Sequence, residues 1–348
     1  MRLIKGVLVA LVAICALGPR VEAQSSLPIS LFERYVESFR LQSGIPGMSA
    51  ALVQDGRIVW DRGFGYQDVE ALVAASSATP YPLHDLTQTL SSTLVLQQCV
   101  DVRHYEASDR IRRWFPQYPE ETTTIAHLLS HTSPSGGFKY DASRFATLSD
   151  IAERCANSEY APLLADEILD FLGMADSVPG QDLGDSSSPN RSLFSSAALA
   201  RYSALLGRVA VPYRVDGRGR ASRTEYPRST FSASTGVVST VRDLARFDAA
   251  LDHGDLLASG TLRRAWEPSG SMPIGLGWFV QRFNGERVVW HFGLARDVSS
   301  CLYIKVPGRN LSVILLANSD GLAAPYTLSS GDLTASVFAQ AFLKLFVS

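Results

Sequence analysis

The sequence predicts a mixed α/β fold of the α+β type: an antiparallel sheet flanked by terminal helices and joined to a mainly helical lobe. Three observations carry this. Strand-like hairpins lie near both ends of the 348-residue chain, an amphipathic helix precedes the first of them and another follows the last, and the middle reads mainly as helix with long connections. Single cores stop growing at about 250 to 300 residues, so this length favours two packed lobes. A hydrophobic fraction of 46% and a charged fraction of 19% belong to an ordinary globular chain and exclude disorder as the default.

The first residues read as an export signal. Arg2 and Lys5 precede an apolar stretch over residues 6–17, and Val21-Glu22-Ala23 offers a small-residue cleavage site ahead of Gln24. The stretch is short for a membrane span. The expectation is a secreted or periplasmic protein with residues 1–23 removed and no transmembrane segment in the mature chain; an uncleaved, membrane-anchored form is the alternative. Removing Arg2, Lys5 and Arg20 against Glu22 takes the formal charge from −2 to about −4. That balance gives no basic surface for nucleic acid. Arg214, Arg218, Arg220, Arg223 and Arg228 are interrupted by Asp216 and Glu225 and read as a solvated loop or hairpin.

Ser30 and Glu33 form a capping-box pattern for a helix over 30–42, with Leu31, Phe32, Tyr35, Val36 and Phe39 at helical spacing and Gly44 as the stop. Residues 48–53 and 57–64 follow as a hairpin through Gln54-Asp55-Gly56. Helical periodicity then appears over 90–100, 124–130, 147–156, 160–172, 195–209 and 241–251, and the Ser-, Asp- and Gly-rich residues 180–190 read as a surface loop. Strands are expected over 287–291, 300–305 and 311–317, and Asp332 is expected to cap a last helix through residue 346. The lobes expected are 24–84 with 232–348 for the sheet and 85–231 for the helices. After cleavage Cys99, Cys155 and Cys301 remain, widely spaced and odd in number; an oxidising compartment permits one disulfide, but the expectation is buried thiols.

Several blocks, in order, resemble the superfamily of class C β-lactamases, D-alanyl-D-alanine peptidases and related esterases. They are Ile45-Pro46-Gly47-Met48, His127-Leu128-Leu129-Ser130-His131-Thr132-Ser133, Phe171-Leu172-Gly173-Met174, the run from Ser234 to Phe247, Gly275-Leu276-Gly277-Trp278 and Leu315-Leu316-Ala317-Asn318-Ser319. The resemblance spans about residues 30–346 and implies a β-lactamase/transpeptidase-like fold with a cleft between sheet and helices. It also implies where the catalytic elements should be.

At those places the chemistry is depleted. The Ser-x-x-Lys of the family, nucleophile and base at a helix N-terminus, is similar in position to Asp85-Leu86-Thr87-Gln88. An aspartate supplies no alkoxide and an amide takes no proton near neutral pH. Asp85 and Gln88 instead match a capping box, expected to stabilise the helix end by about 0.5 to 2 kcal/mol. The Tyr-x-Asn element is similar to Tyr140-Asp141-Ala142, where Ala142 lacks the substrate-holding amide. The third element resembles His291-Phe292-Gly293, with Gly293 allowing close backbone approach. The family-position residues are thus Asp85, Gln88, Tyr140 and His291 for catalysis, with Ala142 and Gly293 for substrate. Thr87, Thr89, Ser91 and Ser92 are displaced from the nucleophile position. No cofactor is expected. No metal is expected either: His127 and His131 are four apart on an expected helix, but the zincin glutamate is absent.

Three readings stay open at this stage. The chain is a secreted pseudoenzyme of the superfamily; or a hydrolase of esters, amides or β-lactams with a rearranged site using Asp85, Tyr140 and His291; or a cell-envelope protein binding a small-molecule or peptidoglycan-derived ligand in the old cleft. Oligomeric state is not legible.

Overall fold

The computed structural model describes residues 27–228 and 230–348. The expected signal segment lies outside the described residues. Among the described residues no helix is long and apolar enough to cross a membrane.

Helix α1 (Leu27–Gln42) leads into the hairpin β1 (Gly47–Gln54) and β2 (Arg57–Asp68), then the short β3 (Val73–Ala74) and β4 (Tyr81–Pro82). A 3-10 turn, His84–Leu86, opens α2 (Thr87–Val95), which runs on as a π-helical stretch to Val102. The helices α3 (Ile125–Leu129), α4 (Ala142–Phe145), α5 (Leu148–Ala156), α6 (Tyr160–Leu164) and α7 (Ser196–Leu206) follow. The arginine-rich run is a hairpin, β5 (Tyr213–Val215) with β6 (Ala221–Arg223), and β7 (Val238–Ser239) pairs with β4. The chain closes with α8 (Val241–His253), α9 (Ser259–Ala265), β8 (Phe279–Phe283), β9 (Glu286–Ala295), β10 (Ser299–Val306), β11 (Leu311–Ala317) and α10 (Val337–Phe346).

Seven strands form one sheet in the order β3-β2-β1-β11-β10-β9-β8, every pair antiparallel. The join between β1 and β11, with Met48 opposite Ala317, assembles the sheet from both ends of the chain, as the hairpins at either terminus predict. Alternation along the central strands splits the interior in two. Leu302 and Ile304 pack with α1 and α10 on one face, whereas Cys301 and Tyr303 face α2, α5 and α8 on the other. Because both faces are covered, β10 and β11 are buried throughout, their few polar side chains included.

Two caps differ from expectation. Helix α1 is already formed at Leu27, so Ser30 lies inside it, and Glu33 is drawn to the indole N–H of Trp60 and to Arg62 across the sheet. Asp332 caps only a 3-10 turn; Ser336 caps α10 by accepting from the Ala339 N–H.

The cysteines also correct the sequence reading. Cys99 and Cys155 are joined as a disulfide across 56 positions, their Cα atoms 5.2 Å apart, and among the described residues only Cys301 is a buried free thiol. The bond ties the end of the α2 continuation to α5. Replacing both cysteines by serine is expected to cost about 2–4 kcal/mol, because a loop of this length loses substantial entropy in the unfolded chain. Urea unfolding of the variant beside the oxidised parent measures it, and equal midpoints would contradict it.

Candidate active site

Helix α2 starts directly under β9. A Cβ on Gly293 would come 2.0 Å from the carbonyl oxygen of Leu83, so only glycine lets the strand lie against the segment leading to Asp85. Just before Asp85, His84 holds a left-handed backbone with φ of 48°. A non-glycine residue there stores roughly 1–3 kcal/mol of strain. Its buried ring, 2.6 Å from the Ser299 hydroxyl, helps fix it, and burial pushes its pKa down to about 4, so it stays neutral.

The family-position residues Asp85, Gln88 and Tyr140 come together from α2 and the segment before α4. The expected capping box does not form: α2 begins at Thr87 with no side-chain cap, and the Gln88 amide turns to partners far away in sequence. His131 Nδ1 accepts the backbone N–H of Asp141 at 3.0 Å, which places its proton on Nε2. Nε2 donates to Gln88 Oε1 at 2.9 Å and Gln88 Nε2 donates to the Tyr140 hydroxyl at 3.0 Å, with the Asp85 carboxylate close enough to that hydroxyl to act on its pKa. Each group spends its donor in one direction, so the chain is polarised toward a single anion. The ring of His131 is also stacked between Tyr140, 4.4 Å away between centroids, and Phe145 at 5.2 Å.

At the end of this chain the Asp85 carboxylate faces two backbone N–H groups, that of Leu294 on β9 and its own. Backbone N–H groups beside a developing negative charge stabilise an oxyanion in acyl transfer. Here the neighbouring charge is a resident carboxylate. Removal from water raises the Asp85 pKa to about 6, against the lowering effect of Tyr140 and the two N–H groups. Burial likewise holds His131 neutral, with a pKa near 3, and lifts the Tyr140 hydroxyl well above its ordinary range.

His291 lies on the same face of β9 as Gly293, fully buried, its ring 6.3 Å from Tyr140. Its Nδ1 is 2.8 Å from the Phe292 carbonyl oxygen, and its Nε2 is buried with no hydrogen-bond partner. Burial takes its pKa to about 4. Ala142, first residue of α4, adds only a methyl group; the N-cap here is Asp141, accepting from the Arg144 N–H.

The other hydroxyls of α2 are consumed by the fold. Thr87 accepts from the Val237 N–H, Thr89 and Ser92 donate to carbonyls three residues back, and Ser91 donates to Thr87 and accepts from Tyr160. His127 and His131 do not share a helix face. His127 closes a capping box with Thr124, while His131 sits beyond the end of α3 with φ of 49°. Among the described residues no group of three or more His, Cys, Asp or Glu side chains is placed to hold a metal. Two surface concavities of about 530 Å³ are lined by other residues, one along α8 with Phe171 and Arg246 and one around Phe115 and Arg154, while one of about 360 Å³ reaches His131, Phe138 and Asp141.

The family model described as Beta-lactamase matches residues 30–328. The chain belongs to the Beta-lactamase family. Among curated relatives, it is 20% identical over 274 residues to the putative penicillin-binding protein PbpX of Bacillus subtilis, covering 70% of this chain and 64% of that one. It is 24% identical over 320 residues to the protein flp of Staphylococcus aureus, covering 82% and 62%. It thus spans less than two thirds of the length of these relatives. Among solved structures, the octameric penicillin-binding protein homologue from Pyrococcus abyssi aligns with a TM-score of 0.72 at 20% identity, over 91% of this chain and 77% of that one. The D-amino acid amidase of Ochrobactrum anthropi, complexed with L-phenylalanine amide, aligns at 0.71 and 18%, over 92% and 99%. At these identities the structural likeness concerns the fold.

Within this Beta-lactamase family member, sequence reading singled out Asp85 and Gln88, and the structure brings two further groups beside them. His131 was weighed only as a metal ligand, although a histidine between an apolar helix and the Gly136-Gly137 loop was the available signal. The Leu294 N–H carries no side-chain signature at all.

The position of Asp85 has a pH consequence. Its native pKa, about 6, is above the ordinary 3.8, so between those values the folded state keeps a proton that the unfolded state releases. Stability therefore falls as pH rises from about 4 to 6, and the deficit persists above 6. Asp85→Asn is expected to be about 1–2 kcal/mol more stable than the parent at pH 8, after allowance for the partial exposure of the site, with the gain shrinking toward pH 4. Urea melts of both proteins at the two pH values test this; a gain that grew on acidification would refute it.

Proposed function

We propose that this protein is an exported member of the Beta-lactamase family that binds ligand in its cleft without forming an acyl-enzyme. One observation carries the reading: the Asp85 carboxylate occupies the two N–H groups, of Leu294 and of Asp85 itself, that acyl transfer would need for its oxyanion. Gln88, fixed between His131 and Tyr140, supports it, since no base stands where the family lysine would. In this reading Asp85, Gln88, Tyr140 and His291 line the binding cleft, Ala142 leaves room on its rim, and Gly293 sets the strand spacing. A hydrolase built on Asp85 would need the same N–H groups for its own intermediate while Asp85 held them, which is why binding is preferred. Export is supported by the charged, apolar and small-residue pattern over residues 1–23 and by the Cys99–Cys155 disulfide, a bond that persists in oxidising compartments.

The test is intact-mass analysis after incubation with a fluorophosphonate and with a penicillin. No adduct is expected on the wild type. A stoichiometric adduct that persists in Asp85→Ala would overturn the reading and any role for Asp85.

A further inference from the structure

The concavity of about 530 Å³ along α8 shares no lining residue with the Asp85 site. Arg242, Ala245, Arg246, Ala249 and His253 recur at helical spacing and turn one face of α8 toward it. Its floor is alanine, so the helix surface lies low there. Its walls are apolar: Ile58 of β2 on one side and Phe171, ahead of the turn at Gly173, on the other. Phe171 is 61% exposed and Ile58 40%, two large apolar side chains that the fold leaves uncovered around one hollow.

A second, independent observation gives the groove a polarity. Two guanidinium groups stand one turn apart in the N-terminal half of α8, each with five N–H donors in a planar fork. Arg242 donates its Nε to Asp61 at 2.6 Å and makes no other hydrogen bond among the described residues. Arg246 makes none among them: its Nε lies 3.6 Å from Asp243, beyond hydrogen-bond reach, and Asp243 Oδ2 already accepts the Asp176 N–H and the Ser177 hydroxyl. The carboxylate in the lining, Asp255, lies past the opposite end of the helix, 3.8 Å from His253. Unspent guanidinium forks beside an apolar hollow favour an anionic head on an apolar chain.

We infer that this groove binds an acyl-chain carboxylate, its head on Arg246 and Arg242 and its chain over Ala249 between Phe171 and Ile58. A cationic head of the same length is repelled. A hydroxyl head engages the forks more weakly, because charge-assisted hydrogen bonds are about twice as strong as neutral ones.

Calorimetric titration of the full chain with octanoate, 1-octanol and octylammonium, each below its aggregation concentration, tests this. Octanoate is expected to bind at least about tenfold more tightly than either analogue, and Arg246→Gln to weaken it by about tenfold while leaving the alcohol unchanged. Arg246 is exposed, so this variant is expected to unfold at the parent's urea midpoint. Phe171→Ser is expected to weaken acid and alcohol alike. On the wild type, the Nε–H resonance of Arg246 is expected to move with octanoate and not with octylammonium, a readout that needs no variant. Octylammonium binding as tightly as octanoate, octanoate binding indifferent to Arg246→Gln, an unmoved Arg246 resonance, or no binding of octanoate would each overturn the inference. So would octanoate binding that changes in Asp85→Asn, since that would place the ligand in the other cleft.

Discussion

Replacing Lys305 by methionine is expected to cost about 3–5 kcal/mol of stability, the largest single loss outside the cleft. Lys305 projects from β10 with no exposed side-chain surface, its Nζ 3.0 Å from Asp248 and 2.8 Å from Asp252. Those two aspartates stand four apart on α8, on one face, where like charges repel. The ammonium is what lets both be buried: Asp248 has no exposed side-chain surface and Asp252 very little. Ser312, at 2.6 Å, and Tyr303 donate to the same Asp248 oxygen, so the cluster joins α8 to β10 and β11. Methionine fills much of the lysine volume and isolates the charge effect, leaving Asp248 with its two hydroxyl donors and Asp252 without its ammonium partner. Adding Asp248→Asn is expected to recover part of the loss, because one of the uncompensated charges goes with it. Urea unfolding at neutral pH measures both; a loss under about 1 kcal/mol for Lys305→Met would show that the aspartates find other compensation.

That cluster also marks where sequence reading stopped. Strand periodicity and turn residues were sufficient for β9, β10, β11 and the first hairpin, because their signals are local and both ends of the chain repeat them. Strand β8 escaped although its signal was present: Asn284-Gly285, both at positive φ, turns β8 into β9 in a two-residue hairpin. The start of α2 was misread for a different reason. A capping box was consistent with Asp85 and Gln88 locally, but His131 and Tyr140, 43 and 52 residues away from Gln88, offer a donor to its carbonyl oxygen and an acceptor to its NH2 group at once. The Cys99–Cys155 bond spans 56 positions, and pairing of that kind has no signature in spacing. Side-chain identity singled out Asp85, Gln88 and Tyr140, then, while the direction of the Gln88 hydrogen bonds depended on folding partners that only the three-dimensional structure brings together.

Placing the family's Ser and Lys together, with Asp85→Ser and Gln88→Lys, is expected to give a protein labelled stoichiometrically by a fluorophosphonate, where the proposed non-acylating wild type is expected to take no label. The serine removes the carboxylate and leaves the Leu294 N–H and that of residue 85 free to receive an oxyanion. The left-handed backbone at His84 and the close contact of Gly293 with Leu83 already hold the nucleophile position under β9, so no main-chain movement is required. A lysine at position 88 starts where Gln88 Nε2 is 3.0 Å from the Tyr140 hydroxyl, and His131, kept neutral by burial, adds no charge to repel it. The single Asp85→Ser variant has the hydroxyl without the base and is expected to label about 10²- to 10⁴-fold more slowly than the double variant, the usual worth of a positioned proton acceptor. Turnover of an ester should stay slow in both, since Ala142 still offers no amide to hold substrate. If the double variant unfolds like the wild type in urea and yet takes no label, the cleft has lost the geometry of acyl transfer as well as its reagents, and Asp85 is then a resident of a site that was rebuilt around it.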